Sequence, residues 1–385
     1  MSAREEKIRK ALDSLSLYCR AMGYQGWDNF DGLNSRVVDS APFQYSYLLR
    51  LIWIQLFKRS PLNLRKLTSV PQGYNPKGLA LFVSGLVFLG QYEEAKSLID
   101  ILMKLSSPGY KNVCWGYNFD WQSRKFLTPK GTPNLVVTAF VVNALLDYYE
   151  ATGDHKYYNL ATNGCNFYLE NLILFENADS LCFQYMPGSK ARVYNVSMLG
   201  ATALARLYHV NGDRCLYEKS KKAMTYAVRA LQKDYSWTYA EKRKFIDSFH
   251  TGFNLVSLCK WMEYTGDNCW DNELKRAYNY YLDTFWLDNW CPKYYHNSLY
   301  PIDIHCSAQG IVTLLKMIAY KNNGIELAEK IAEWAIDNMQ DKSGYFYYQK
   351  TRFYTNRIPY MRWSQAWMFY ALSMLNHSHA SVHEV

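Results

Sequence analysis

A chain of 385 residues with 49% hydrophobic side chains can bury a sizeable core, as one large domain or two ordinary ones. Its net charge of +9 is spread along the sequence, which excludes a basic tail for nucleic acid but leaves a field that attracts anionic substrates. Nine scattered cysteines without a C-x-x-C pair, and a charged start at Met1–Glu6 without an apolar leader, predict reduced thiols in a cytoplasmic protein.

In chain order, residues 4–20 read as a charged amphipathic helix and 23–40 as a polar loop. Residues 42–58 read as a second, aromatic-rich helix, and 60–77 as a Pro-containing connection. From there a repeat sets in. Apolar runs begin near Leu79, Asn134, Asn195, His250, His305 and Trp363, at intervals of 55, 61, 55, 55 and 58 residues. These runs are apolar on nearly every face, so each predicts a helix buried on all sides. The most apolar stretches, 78–90 and 135–146, are too short to cross a bilayer. Between the runs lie one-sided helices: in 271–285 the apolar positions are Leu274, Ala277, Tyr278, Tyr281, Leu282 and Phe285. Thr152-Gly153-Asp154, Asn211-Gly212-Asp213 and Thr265-Gly266-Asp267 each end an inner helix on glycine and offer Asp to cap the next.

Six inner helices alternating with about six outer ones predict an all-α fold, an (α/α)6 toroid of six helical hairpins with aromatic-rich loops at the cleft end. Residues 42–58 are assigned as the first outer helix and the run from Trp363 to Leu375 as the last inner one. The predicted organisation is a single domain: a helix and loop over 1–40, the toroid over 41–376 and a tail over 377–385. An open superhelical stack is the rival. Against it, the period is long, and the long loops all fall at one end.

In a toroid the inner helices run parallel, so their N-termini gather at one mouth and favour anionic groups there. Asp247 and His250, and Asp303 and His305, stand at two such starts and are candidates for proton transfer. The alternative is that the aspartates only cap their helices. Trp121, Tyr295 and Trp363 are candidates to stack sugar rings, and Arg124 and Arg362 to hold an acidic group. Asp120, Gln122, Asn134, Tyr194 and Asn195 complete the predicted lining. Two carboxylates suit glycoside hydrolysis, whereas Tyr and His with a uronate-binding Arg or Asn suit elimination or C5 epimerisation. His250, His305 and Cys306 have no recognised metal-ligand spacing, and no metal or other cofactor is expected. The chain lacks G-x-x-x-x-G-K-[ST], G-x-G-x-x-G and G-x-S-x-G, the signatures of P-loop, dinucleotide and α/β-hydrolase chemistry.

The segments Trp115–Arg124 (W-G-Y-N-F-D-W-Q-S-R), Phe249–Phe253 (F-H-T-G-F), Pro292–His296 (P-K-Y-Y-H), Tyr300–His305 (Y-P-I-D-I-H) and Ile358–Met368 (I-P-Y-M-R-W-S-Q-A-W-M) resemble bacterial polysaccharide-biosynthesis proteins of the VpsJ type. That resemblance spans about Gly73 to about Leu375. It implies an α/α-toroid related to six-hairpin glycosidases and terpenoid cyclases, and a role in capsule, exopolysaccharide or O-antigen assembly. Gln340–Phe346 is similar to the Q-x-x-x-G-x-W clasp of terpenoid cyclases, with Phe for Trp, but their D-x-D-D motif is absent. The expectation is a glycan-acting hydrolase, lyase or epimerase with a carbohydrate ligand, anionic glycans included. A non-catalytic glycan- or partner-binding module and an isoprenoid-binding protein are the alternatives.

Overall fold

The computed structural model describes residues 2–40, 42–123, 126–321 and 323–383. Six inner helices form its wall: α4 (Pro76–Phe88), α6 (Leu135–Thr152), α8 (Tyr194–Asn211), α10 (Ser248–Thr265), α12 (Ile304–Lys316) and α14 (Trp367–His383). Each packs on the next, and α14 packs back on α4, so the ring is closed. The hairpin partners outside are α5 (Tyr92–Lys104), α7 (His155–Asn171), α9 (Arg214–Val228), α11 (Asp271–Phe285) and α13 (Gly324–Met339). The toroid predicted from the repeat is the fold observed.

The sixth outer helix is α1 (Ala3–Ala21), which packs on α13 and α14. This corrects the assignment of 42–58 to that place and the separation of 1–40 from the ring. The amphipathic stripe of Ile8, Leu12 and Leu15 is buried by its neighbours at the seam. The Gln340–Phe346 turn is the clasp there. Gln340 Nε2 donates to the carbonyls of Ala11 and Gly344, and a Cβ on Gly344 would stand 2.3 Å from the Ser14 carbonyl oxygen. Helix α2 (Tyr47–Arg59) and the short α3 (Leu64–Leu67) lie instead over the mouth. The last inner helix also begins earlier and ends later than expected: a π-helical turn, Met361–Ala366, precedes α14, which runs to His383.

The apolar inner runs follow from this placement. By length and hydropathy α6 alone among the described helices could cross a bilayer, and in the toroid 61% of that stretch is buried. Gly153, Gly212 and Gly266 end α6, α8 and α10 at φ of 74, 70 and 69°. Asp154 and Asp213 cap the next helices as expected. Asp267 does not: α11 starts later, and the carboxylate takes Lys221 and Tyr217 instead.

Short antiparallel strands stiffen the mouth: β1 (Trp121–Gln122) with β2 (Leu127–Thr128), β3 (Ile173–Glu176) with β4 (Leu181–Phe183), and β5 (Ile302–Asp303) with β6 (Gln349–Lys350) and β7 (Thr355–Asn356). One hydrogen bond recurs there. The first amide of an inner helix, which has no partner within its helix, donates to the loop that leads into the next one. Leu135 N donates to Tyr185 O, Ser248 N to Tyr294 O and Ile304 N to Tyr348 O. Met361 N donates to Trp27 O at 3.0 Å, and Trp27 lies in the long connection that precedes α4. The same device therefore closes the circle.

Candidate active site

The site is built from helix starts. Asn75, Asn134, Asp247 and Asp303 cap α4, α6, α10 and α12, each accepting from an amide of the first turn. A cap holds its side chain at the mouth and fixes where the next two or three residues point.

At α10 the spacing of three produces a dyad. One oxygen of Asp247 accepts from the His250 amide at 2.8 Å, and the other meets His250 Nδ1 at 2.7 Å. Asp247 is buried at 2% exposure, whereas 22% of the His250 side chain reaches solvent. With its Nδ1 proton on Asp247, His250 presents Nε2 as a base to the open side. Tyr239 stands edge-on to the imidazole at 4.7 Å, and Phe249 lies at 4.2 Å.

At α12 the spacing of two produces something else. Asp303 caps the His305 amide at 2.9 Å, but its carboxylate never reaches that imidazole. It accepts from Trp363 Nε1 at 2.9 Å and from Gln349 Nε2 at 2.5 Å. The expected repeat of the dyad is thus corrected, since one residue fewer turns the His305 ring to the axis. There it stacks on Phe249 at 4.7 Å, with Trp367 at 4.5 Å and the edge of Trp363 at 4.7 Å. Neither ring nitrogen of His305 has a hydrogen-bond partner. Burial, then the charges of Lys77 and Arg362, hold its pKa well below the usual histidine value, so this imidazole is neutral. Burial pushes the Asp303 carboxyl up to about 6 against the pull of its three donors.

Lys77, in the first turn of α4, was missing from the predicted set. Its ammonium lies 4.2 Å from the ring centre of Phe140 and 5.3 Å from those of Phe253 and Trp367. Among the described residues it has no ion-pair or hydrogen-bond partner, and burial drives its pKa far down, with Arg362 adding to the effect. A signal did exist: Lys77 is the lone charge between Gly73 and Gln91.

The predicted binding residues divide. Tyr295 is half-buried at the mouth, joined to Asp247 by a backbone bridge and packed on Tyr294 at 4.5 Å. Trp121 is half-buried on β1. Trp363 lines the floor but is 8% exposed and edge-on to His305, so it is a wall and not a free stacking face. Asn195 is buried in the first turn of α8 with Oδ1 unpartnered. Arg124 lies outside the described residues.

Five further predicted residues are already engaged by contacts within the chain. Arg362 binds Asp28 through two contacts of 2.6 and 2.8 Å, both residues buried at 3 and 2%, so its charge is already paired and, among the described residues, only Nη1 is left without a hydrogen bond. Asp120 accepts from the Lys130 amide at 2.6 Å. Gln122 accepts from Arg50 Nε at 2.7 Å, tying β1 to α2. Tyr194 points outward, 5.9 Å from Tyr226 of α9. Asn134 is committed at Oδ1 to its cap.

The sequence also gave no sign of the roof. Arg65 donates to Asp31, to the Asp28 carbonyl and to the Tyr360 hydroxyl, all buried. Phe30 lies edge-on to Trp363 at 5.9 Å, with Lys58 above Phe30 at 4.9 Å. Residues 28–40 and 42–65 thus cover one side of the mouth. Among the described residues no group of three or more His, Cys, Asp or Glu side chains could hold a metal ion.

No protein-family model and no curated protein matches the chain. Solved structures do. A cellobiose 2-epimerase from Bacillus thermoamylovorans superposes with a TM-score of 0.65 at 12% identity, over 80% of this chain and 88% of that one. A family 76 α-mannanase from Bacteroides thetaiotaomicron gives 0.60 at 15% identity, over 80 and 88%. An unsaturated glucuronyl hydrolase specific for heparin gives 0.63 at 11% identity, over 99 and 98%. These likenesses show the fold, an α/α-toroid.

Proposed function

We propose that the chain is a carbohydrate-active enzyme that moves a proton on a sugar, an epimerase or isomerase. The observation that carries this reading is the Asp247–His250 dyad at 2.7 Å, its His250 side partly reached by solvent, with a second, neutral imidazole sharing its Phe249 wall. His250 Nε2 takes the proton from the carbon next to an open-chain carbonyl. Asp247 holds the ring and stabilises the imidazolium that forms. The His305 nitrogens have no other partner, and a neutral imidazole can donate to the oxygen where charge builds up.

Hydrolysis through two carboxylates fits less well. Each aspartate spends one oxygen on its cap, and the others go to His250 and Gln349. The names of the structural neighbours, an epimerase and two hydrolases, support a carbohydrate substrate and leave the reaction to the site. The role in polysaccharide biosynthesis is part of the proposal and rests on the sequence resemblance alone, and the cytoplasmic placement rests on the scattered, unpaired cysteines.

The test is proton exchange. In D2O with a panel of reducing mono- and disaccharides, including uronates, the protein should incorporate deuterium next to the carbonyl carbon, read by NMR. The His250→Gln variant should not. New reducing ends without exchange would overturn the reading in favour of hydrolysis.

A further inference from the structure

We propose that the mouth face of the toroid docks on an anionic lipid bilayer through α2 and the two hairpins beside it. Leu48, Ile52 and Leu56 follow one another at i, i+4 and i+8 along α2 and are 55, 56 and 47% exposed. The opposite side of α2 is buried through Ile54 and Phe57, so the helix is firmly seated with its apolar stripe outward. Tyr45 before it is 85% exposed, and Leu62 and Leu67 after it are 71 and 83% exposed.

The patch continues on both flanks. The β1–β2 hairpin, tied to α2 by Arg50 and Gln122, exposes Phe126 and Leu127. The β6–β7 hairpin is tied by the Tyr354 hydroxyl to the Arg59 carbonyl at 2.6 Å and exposes Phe353 at 87%. Contiguous apolar surface of this kind, rimmed by charge, marks an interaction site.

The charge says with what. From Ser40 to Tyr92 the sequence contains no Asp or Glu. Arg59 and Lys66 are exposed within the patch, and Arg352 and Arg357 on the β6–β7 hairpin; the exposed Asp39 lies at its edge. The outer wall is different, with cations set beside anions in pairs such as Lys10–Glu6, Lys96–Asp100 and Lys330–Glu326. A face that is apolar, aromatic and cationic complements acyl chains and anionic headgroups. A second copy of the same face would bring like charges together. Since residues 28–40 and 42–65 also roof the site, docking sets the mouth beside the headgroups.

The experiment is co-sedimentation of the full chain with vesicles of phosphatidylcholine alone or mixed with phosphatidylglycerol. The protein should sediment with the mixed vesicles and lose most of that binding in high salt. The double variant Ile52→Glu/Leu56→Glu should weaken it by about tenfold or more, and Arg59→Glu/Lys66→Glu by about tenfold. Unchanged circular dichroism and melting temperature show that both variants fold, as expected for exposed positions. No preference for the anionic vesicles, or full binding by the Ile52→Glu/Leu56→Glu variant, overturns the proposal. So does a wild-type dimer that this variant dissolves, which would give the face to a second copy.

Discussion

The toroid buries charge at both ends of its axis, and the two ends treat it in opposite ways. At the base all six inner helices contribute to one cluster. Arg206 donates to Glu150 at 2.9 and 2.7 Å, to Asp147 at 2.7 Å and to the Asn143 carbonyl at 3.1 Å, while Ser84 donates to the far oxygen of Asp147. Tyr264, Lys316 and Tyr370 surround it; the Lys316 ammonium is the exception there, over the Phe88 ring and with no hydrogen bond among the described residues, but the central Arg206 and its carboxylates are fully paired. At the mouth Lys77 meets only π faces, and His305 makes no hydrogen bond. A satisfied buried network stabilises and specifies a fold, and an unsatisfied one carries a cost that a ligand can relieve. The base is therefore read as the structural plug and the mouth as the working site, although both are rich in buried charge.

The sharpest way to break this contrast is at His250. His250→Gln should lower turnover by about 10²–10⁴-fold, measured as initial exchange rate, with little change in melting temperature. An equal loss of activity per folded molecule in an Arg206 variant would erase the distinction.

Next in size is the plug itself. Arg206→Met leaves Asp147 and Glu150 without their cation, but their side chains are 24 and 47% exposed, so water takes over part of the loss. Urea unfolding should show a cost of about 2–3 kcal/mol.

Asp303 tests the mouth through pH. Its carboxyl is raised from 3.8 to about 6 in the folded protein, so between those values the folded state holds more protons than the unfolded one. Its contribution is fully present below pH 3.8 and is lost as pH rises through about 6, by about 2–3 kcal/mol. Asp303→Asn should remove that fall from the stability–pH curve. An unchanged curve would show that Asp303 does not titrate in this window.

The smallest effect has the opposite sign. Lys77 carries a pKa far below 10.5, so the unfolded chain binds more protons in the interval between, and wild-type stability drops as pH falls through it. Lys77→Met should flatten that slope and raise stability at neutral pH by about 1 kcal/mol. A loss resembling that of Arg206→Met would mean that the two ends are alike.

The seam at α1 and the roof show where sequence reading stops. The pattern in 42–58 is a sound helix signal, and α2 spans Tyr47–Arg59. Periodicity, however, reports that a face is apolar and not what covers it, and here much of that face is left uncovered. Arg362 shows the same limit: an arginine at a helix start looks like an unpaired anion site until Asp28, 334 residues away in sequence, is found against it. Asp247 and His250 could be read because three residues at a helix start fix a geometry on their own, whereas the same reasoning overreached at Asp303 and His305 by one residue.

What the sequence determined by itself is everything set by short-range geometry. The 55-residue period, the glycine ends, the capping aspartates and the Asp247–His250 dyad follow from backbone sterics and helical phase within a few residues. Ring closure of α14 on α4, the burial of Lys77 among three rings, the pairing of Arg362 and the exposed face of α2 were decided only in three dimensions. Each depends on which distant surface arrives, and burial and charge pairing are properties of that meeting, not of either segment alone.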